Sequence, residues 1–312
     1  MRDVSDDVTA LAGAETDADW DAALEDIAER RGYYDPLGAD HLALFTDAGP
    51  ELLVTFEEAA TIRARPGQSP LGWTLCPDRD WSRLVLVARR QSWFRDPEVY
   101  RYFDRLADDG FFDEFDRVVV HGAGPCGYAA AAFSVAAPGA TLVLTAPQAT
   151  LTPALAGWDR RFAGSRRLDF TSRYGYAPDM TEAAARAFLI HDPAIAEDAM
   201  HAALFHLAGA EVIRARHHGA RLADNLEASG ALAKIVTTAM VGRLDRLALA
   251  RALRARRDLQ PYLRGLLDRL EAADRPALIA ALCRNVVARK RAPRFRQALR
   301  RAEAALARTA AR

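Results

Sequence analysis

Lysine is almost missing from this 312-residue chain: Lys234 and Lys290 are its only two, and arginine carries the rest of the positive charge. A GC-rich genome is the simplest cause of that bias, which supports no claim about thermal stability. Cysteine is nearly as scarce. Cys76, Cys126 and Cys283 stand far apart without paired spacing, which argues against a disulfide framework and against a cysteine-rich metal site. No apolar run approaches the length of a bilayer span. The N-terminus, MRDVSDDVTALAGAETDADWDAALEDIAER, lacks the basic-then-apolar pattern of a signal peptide. The chain is therefore expected to be cytoplasmic, with no membrane partner. Net charge is absent too, with 42 basic and 42 acidic side chains.

Half of the residues are hydrophobic and 27% are charged, an ordinary balance for a globular protein. The length allows one large domain or two smaller ones. The charge is unevenly spread. Residues 1–120 hold 13 arginines against 26 carboxylates, residues 121–242 hold 10 side chains of each sign, and residues 243–312 hold 19 basic against 6 acidic. Ends of opposite sign suit a homo-oligomer or a protein partner. The basic clusters at Arg251, Arg254, Arg256 and Arg257 and at Arg289, Lys290, Arg291, Arg294 and Arg296 come without a recognition motif. Packing and partner contacts are favoured there over DNA or RNA.

Residues 1–19 read as an acidic tail, 20–226 as an α/β domain and 227–312 as an arginine-rich helical region. Ala22, Leu24, Ile27 and Ala28 predict a helix over 20–31, broken by the glycines and proline of 32–38. Residues 41–46 and 51–56, joined by Asp47-Ala48-Gly49-Pro50, predict an antiparallel hairpin. Residues 73–76 read as a short strand and 84–88 as a strand buried on both faces. Residues 97–110 have proline in the first turn and glycine at the end, as helices do. A short helix is predicted at 182–186, strands at 187–191 and 211–215, and a helix between them at 197–207. From Ala220 onward the pattern is almost wholly helical.

The most informative stretch is 117–148, RVVVHGAGPCGYAAAAFSVAAPGATLVLTAPQ. It reads as a buried strand, a glycine turn, an alanine-rich helix and a second buried strand: half of a parallel sheet, with the turn at the ligand-binding edge. Two readings of the turn are open. As G-x-G-x-x-G, the amides of Gly122, Gly124 and Gly127 would approach a pyrophosphate, with FAD or NAD as cofactor. Against this, strands precede the motif and no acid closes Leu142-Val143-Leu144-Thr145-Ala146 to hold a ribose. As a strand-to-helix elbow of the G-x-S-x-G kind, the run Gly122-Ala123-Gly124-Pro125-Cys126 puts Gly124 at the nucleophile position. Free turn amides suit an anion in either case. Arg160, Arg161, Arg166 and Arg167 lie in the excursion beyond, where a salt-bridged loop is the simpler account.

From residue 40 to residue 226 the order of elements resembles the α/β-hydrolase superfamily: a leading hairpin, the elbow, a strand, an excursion, a strand ending at Asp192, a helix, and a strand leading to His217-His218. The resemblance implies an α/β fold, a mostly parallel three-layer sheet with an antiparallel leading hairpin and a helical C-terminal region. It implies Asp192 as the acid and His217 or His218 as the base. With Gly124 at the nucleophile position it also implies a degenerate elbow, hence a pseudoenzyme candidate or an atypical small-molecule or anion-binding protein that requires no cofactor. If there is chemistry, Cys126 is the nearby nucleophile, its thiolate favoured by the helix N-terminus, for hydrolysis or acyl transfer. Asp192 before Pro193 also reads as a turn cap. His191, His201 and His206 are scattered, so no metal site is expected.

The whole chain also resembles a group of alphaproteobacterial proteins sharing GAGPCGYAAAAFSVAAPGAT, the Arg173–Met180 run RYGYAPDM and the Cys283–Arg289 run CRNVVAR. These often carry the label phosphoadenosine phosphosulfate reductase. That enzyme's serine/glycine-rich pyrophosphate loop and Glu-Cys-Gly cysteine are not in the sequence; Cys283 stands in Leu-Cys-Arg.

Overall fold

Eight short, mostly apolar segments pair into one sheet in a computed structural model that describes residues 11–75, 77 and 79–310. They are β1 (Gly32–Leu37), β2 (His41–Thr46), β3 (Glu51–Glu58), β4 (Ser82–Ala88), β5 (Arg117–Ala123), β6 (Thr141–Thr145), β7 (Arg186–His191) and β8 (Glu211–Arg214). Their spatial order is β1-β2-β4-β3-β5-β6-β7-β8. β2 runs antiparallel to β1 and β4, and the remaining pairs are parallel.

The leading hairpin is present, but with a different partner from the one expected. β2 folds back on β1, and β3 lies between β4 and β5. The segment read as a break is β1 itself; its Pro36 is tolerated because β1 is an edge strand. The Asp47–Pro50 turn carries the chain across β4 instead of closing a hairpin. The Ser82 hydroxyl at the start of β4 accepts from the amides of Ala48 and Gly49 at 3.0 and 3.1 Å. Residues 71–74 form a helical turn, not a strand, because the Glu57 carboxylate accepts from the amides of Leu71 and Gly72 and caps it. Cys76 lies outside the described residues. Residues 181–183 make a 3-10 turn and β7 opens at Arg186, where a short helix was expected.

Side chains alternate between the two faces of the sheet. Leu52, Val54, Phe56, Leu84, Leu86, Val120, Leu142 and Leu144 share one core with Phe103 and Phe133. Leu42, Leu44, Val85 and Val87 face the other way, under Trp20, Leu24 and Ile27 of α1 (Asp17–Glu29). Leu11 is fully buried in that second cluster, so part of the stretch read as an acidic tail over 1–19 packs on the sheet. Thr16 and Asp19 form a capping box that starts α1.

Further along come α2 (Ala59–Arg63), α3 (Leu71–Thr74), α4 (Pro97–Asp108), α5 (Pro125–Ala132), α6 (Ala196–Leu207), α7 (Leu222–Ala228), α8 (Ala231–Met240) and α9 (Arg246–Ala252). The chain divides into two compact units after Arg254. Helices α8 and α9, grouped with the C-terminal region from the sequence, fall within the first. α8 buries Leu232, Ile235, Val236 and Met240 on the sheet side, against β3, β5 and β6. Arg117 and Arg186 donate to the carbonyls of Met240 and Leu244 at 2.8 and 2.7 Å.

The second unit holds α10 (Gln260–Ala272), α11 (Pro276–Arg289) and α12 (Pro293–Ala310) around Leu263, Leu267, Cys283, Val286 and Phe295. Arg284, Arg289 and Arg301 pair with Glu303, Asp258 and Glu271, so part of the basic surplus is met locally. Among the described residues no helix is long and apolar enough to cross a membrane.

Candidate functional site

β5 ends in a tight turn at the carboxyl edge of the parallel strands. Gly124 holds φ 55° and ψ −125°, a region costly for a residue with a side chain. α5 begins at the next residue. A Cβ on Gly122 would lie 2.2 Å from the Cys126 carbonyl oxygen, and one on Gly127 would lie 3.1 Å from Pro147. Those two glycines are steric requirements of the bend. A Cβ on Gly124 would meet nothing within 4 Å, so only its backbone angle favours glycine. Two positions of the turn offer no free donor. The Gly124 amide donates to the Thr145 carbonyl at 2.9 Å, and Pro125 has no N–H.

A cavity of about 350 Å³ opens at this turn; Glu58, His121, Gly124, Cys126 and Gln148 are among its walls. Cys126 is buried. Burial, and then the negative charge of Glu58 and Glu57, push its thiol well above its ordinary pKa. The expected help from the helix N-terminus is outweighed.

Asp192, fully buried after β7, accepts from the Ala194 amide at 3.0 Å and from the Gly219 amide at 2.7 Å. The carboxylate thereby ties the loop after β8 to the end of β7. That loop carries His217, exposed and left-handed at φ 71°, and His218, buried. The fold brings Asp192 to the histidine loop through a backbone amide. Gly219 and Ala220, just beyond the histidines, line the same cavity as Cys126.

Two polar clusters that the sequence did not reveal flank the cavity. In the first, buried Glu57 accepts from Arg65 at 2.6 Å, from the Leu71 and Gly72 amides at 2.8 and 3.2 Å, and from the Thr55 hydroxyl at 3.0 Å. In the second, Arg161 grips Asp159 with two nitrogens at 3.0 and 2.8 Å and reaches Asp198 at 2.7 Å. The Ala149 amide donates to His201 Nδ1 at 3.1 Å, so Nε2 carries the proton and donates to Asp159 at 3.2 Å. Burial drops the His201 pKa to about 4, and the imidazole is neutral. Burial works against the charge of Asp159, but Arg161 more than offsets it and holds the carboxyl below its usual range.

The cavity also has polar groups with no such company. His121 Nδ1 lies 2.8 Å from the Val143 carbonyl, which can only accept; Nδ1 is therefore protonated and Nε2 keeps a lone pair. Gln148 Nε2 donates to the Ala146 carbonyl at 3.1 Å, while its Oε1 has no partner among the described residues. The Thr145 hydroxyl has none either. Glu58 is half-buried, and its carboxyl is pushed up by burial. The Glu57-Glu58 pair closing an apolar strand was a signal visible in the sequence. Asp159 and His201, 42 positions apart, offered none. Among the described residues no three potential metal ligands gather.

The strand order, the leading antiparallel hairpin, the parallel run after it and the glycine turn at the end of β5 define an α/β-hydrolase-like fold. It differs from the 3-2-1-4-5-6 order of the dinucleotide-binding sheet. No protein-family model matches the sequence, and no curated protein matches it. Solved structures similar to it are distant. An esterase from Pyrobaculum calidifontis is 15% identical with a TM-score of 0.45, over 68% of this chain and 84% of that one. Carboxyl esterase 2 from the mycorrhizal fungus Tuber melanosporum is 15% identical with a TM-score of 0.43, over 70% and 86%. The capsule O-acetyltransferase of Neisseria meningitidis serogroup A is 11% identical with a TM-score of 0.40, over 64% and 93%. The class rests on the chain's own topology.

Proposed function

We propose that this chain is an α/β-hydrolase-like protein that binds a small molecule at its elbow and performs no acyl transfer there. The observation that carries this reading is the pair Gly124-Pro125. Enzymes of this fold put a nucleophile on the turn and draw an oxyanion-hole N–H from the residue after it. Here the first position has no side chain and the second no N–H. The loop after the third strand supplies the remaining donor in such enzymes. In this chain Glu57 occupies the amides of Leu71 and Gly72 beyond that strand. Cys126 is no substitute in this reading, because the thiolate is the nucleophile and this thiol is held neutral. Asp192, His217 and His218 then serve the turn between β8 and α7. The cavity itself, about 350 Å³, is of a size that takes small molecules.

Hydrolysis of p-nitrophenyl acetate and butyrate by the purified protein is the test. Turnover should equal that of a heat-denatured control. Gly124→Ser, which has room for its side chain, should be inactive as well, since Pro125 still withholds the N–H. Wild-type turnover that disappears in Cys126→Ser would sink the reading in favour of thiol chemistry.

A further inference from the structure

Taking the elbow cavity as a binding site, as proposed above, we infer that it accepts a small molecule bearing an N–H-rich cation, an alkylammonium or alkylguanidinium group, with Glu58 as counter-ion and His121, Thr145 and Gln148 as further acceptors. The charge on the walls points this way. Glu57, Glu58, Asp198 and Asp224 line the cavity against Arg65 and Arg161. Each arginine already bridges two carboxylates: Arg65 holds Glu57 and Glu227 at 2.6 and 3.0 Å, and Arg161 holds Asp159 and Asp198 at 2.8 and 2.7 Å. The charge of each guanidinium is thereby offset within the protein. At the bend itself the Gly124 amide donates to the Thr145 carbonyl and Pro125 has no N–H.

The unmet groups on the walls are acceptors. Gln148 and Thr145 are each 2% exposed and His121 4%. The Ala146 carbonyl fixes the Gln148 amide with its oxygen unmet, and the Val143 carbonyl fixes the imidazole tautomer with Nε2 as a lone pair. The Thr145 hydroxyl can turn to accept. A buried acceptor left without a donor is costly, so a donor-rich group gains by entering where a carboxylate or phosphate would add acceptor to acceptor. Glu58 completes the arrangement, having no ion pair or hydrogen bond among the described residues. Burial alone raises its carboxyl pKa, and a cation arriving beside it favours the carboxylate.

Titration calorimetry and thermal shift on the full chain test this with three probes of similar length: butylammonium, butylguanidinium and pentanoate. At least one cation should bind and raise the melting temperature, and pentanoate should do neither. Glu58→Gln should weaken the cation at least tenfold while its ligand-free melting temperature stays at or above wild type, which shows that it folds. Glu29→Gln, on the exposed end of α1, should bind as wild type does. Binding of pentanoate in place of the cations would overturn the cation inference and leave the binding reading standing. Cations that bind wild type and Glu58→Gln equally, or that do not bind at all, would also overturn it. Ester turnover by the wild type would strike the reading beneath it instead.

Discussion

Two polar groups of residues sit at the same edge of the sheet and are built in opposite ways. In the Asp159–Arg161–Asp198–His201 cluster, donors and acceptors close on one another: a carboxylate takes a two-pronged guanidinium, and an imidazole uses both nitrogens. Around the elbow, His121, Thr145 and Gln148 keep acceptors without donors, and Glu58 keeps a carboxyl without a cation. A closed cluster has nothing to offer a ligand and serves to hold the Gln148–Tyr176 excursion on α6. An open one has an unfilled requirement. Burial of polar groups is common to both; what separates structure from recognition here is whether the hydrogen-bond inventory balances.

The largest test of this contrast is Asp159→Ala. It leaves His201 Nε2 without an acceptor and Arg161 with Asp198 alone, and should cost about 2–4 kcal/mol in urea unfolding, discounted because Arg161 is partly exposed. A loss under 1 kcal/mol would mean that the cluster is not structural.

The next test is pH. His201 sits at about 4 in the folded chain against its ordinary 6.5, so below 6.5 the unfolded chain takes a proton that the folded chain refuses. Stability is therefore lost as pH falls from 6.5 toward 4, and the His201 share between pH 7 and pH 5 is about 2 kcal/mol. His41, His121 and His191 are also lowered, chiefly by burial, and add in the same direction. His201→Asn should lose stability at pH 7 but show a shallower fall to pH 5. Equal slopes in the two proteins would refute the neutral buried imidazole.

The smallest effect belongs to the open group. Thr145→Val removes a hydroxyl without a partner and suits a strand, so it should be neutral or stabilising by up to about 1 kcal/mol, the opposite sign to Asp159→Ala. Chemical denaturation of the two variants side by side is the direct measurement, and a clear loss in Thr145→Val would erase the distinction.

Much of the fold could be read from the chain. Val118 to Val120 and Leu142 to Leu144 are continuous apolar runs, as strands buried on both faces must be, and Gly122, Gly124 and Gly127 mark the turn between them. β1 was hidden because Gly32 and Pro36 carry the signals of a break, which an edge strand tolerates. The turn at 47–50 looked like a hairpin because local residues show that the chain turns and not which neighbour it turns toward. The site was legible only as a place. Gln148 and Thr145 are ordinary letters, and their meaning depends on which carbonyl lies opposite and which donor does not, a fact of three-dimensional arrangement. Cys126 was conspicuous as a letter, but its burial, and then the charge of Glu58 and Glu57 brought beside it by the crossing of β3 past β4, hold its thiol neutral.

The Glu57 carboxylate, seated on the amides of Leu71 and Gly72 with Arg65 behind it, also bears on what sequence drift can do to this molecule. Under the binding reading, an esterase would require a side chain at 124, an N–H at 125 and the departure of that carboxylate. The last change alone would leave Arg65 facing Glu227 across a half-empty site. On that reading no single substitution would be expected to give partial turnover. The elbow would then work as a ratchet: binding could be retuned residue by residue at the cavity wall, while hydrolysis would need several changes together.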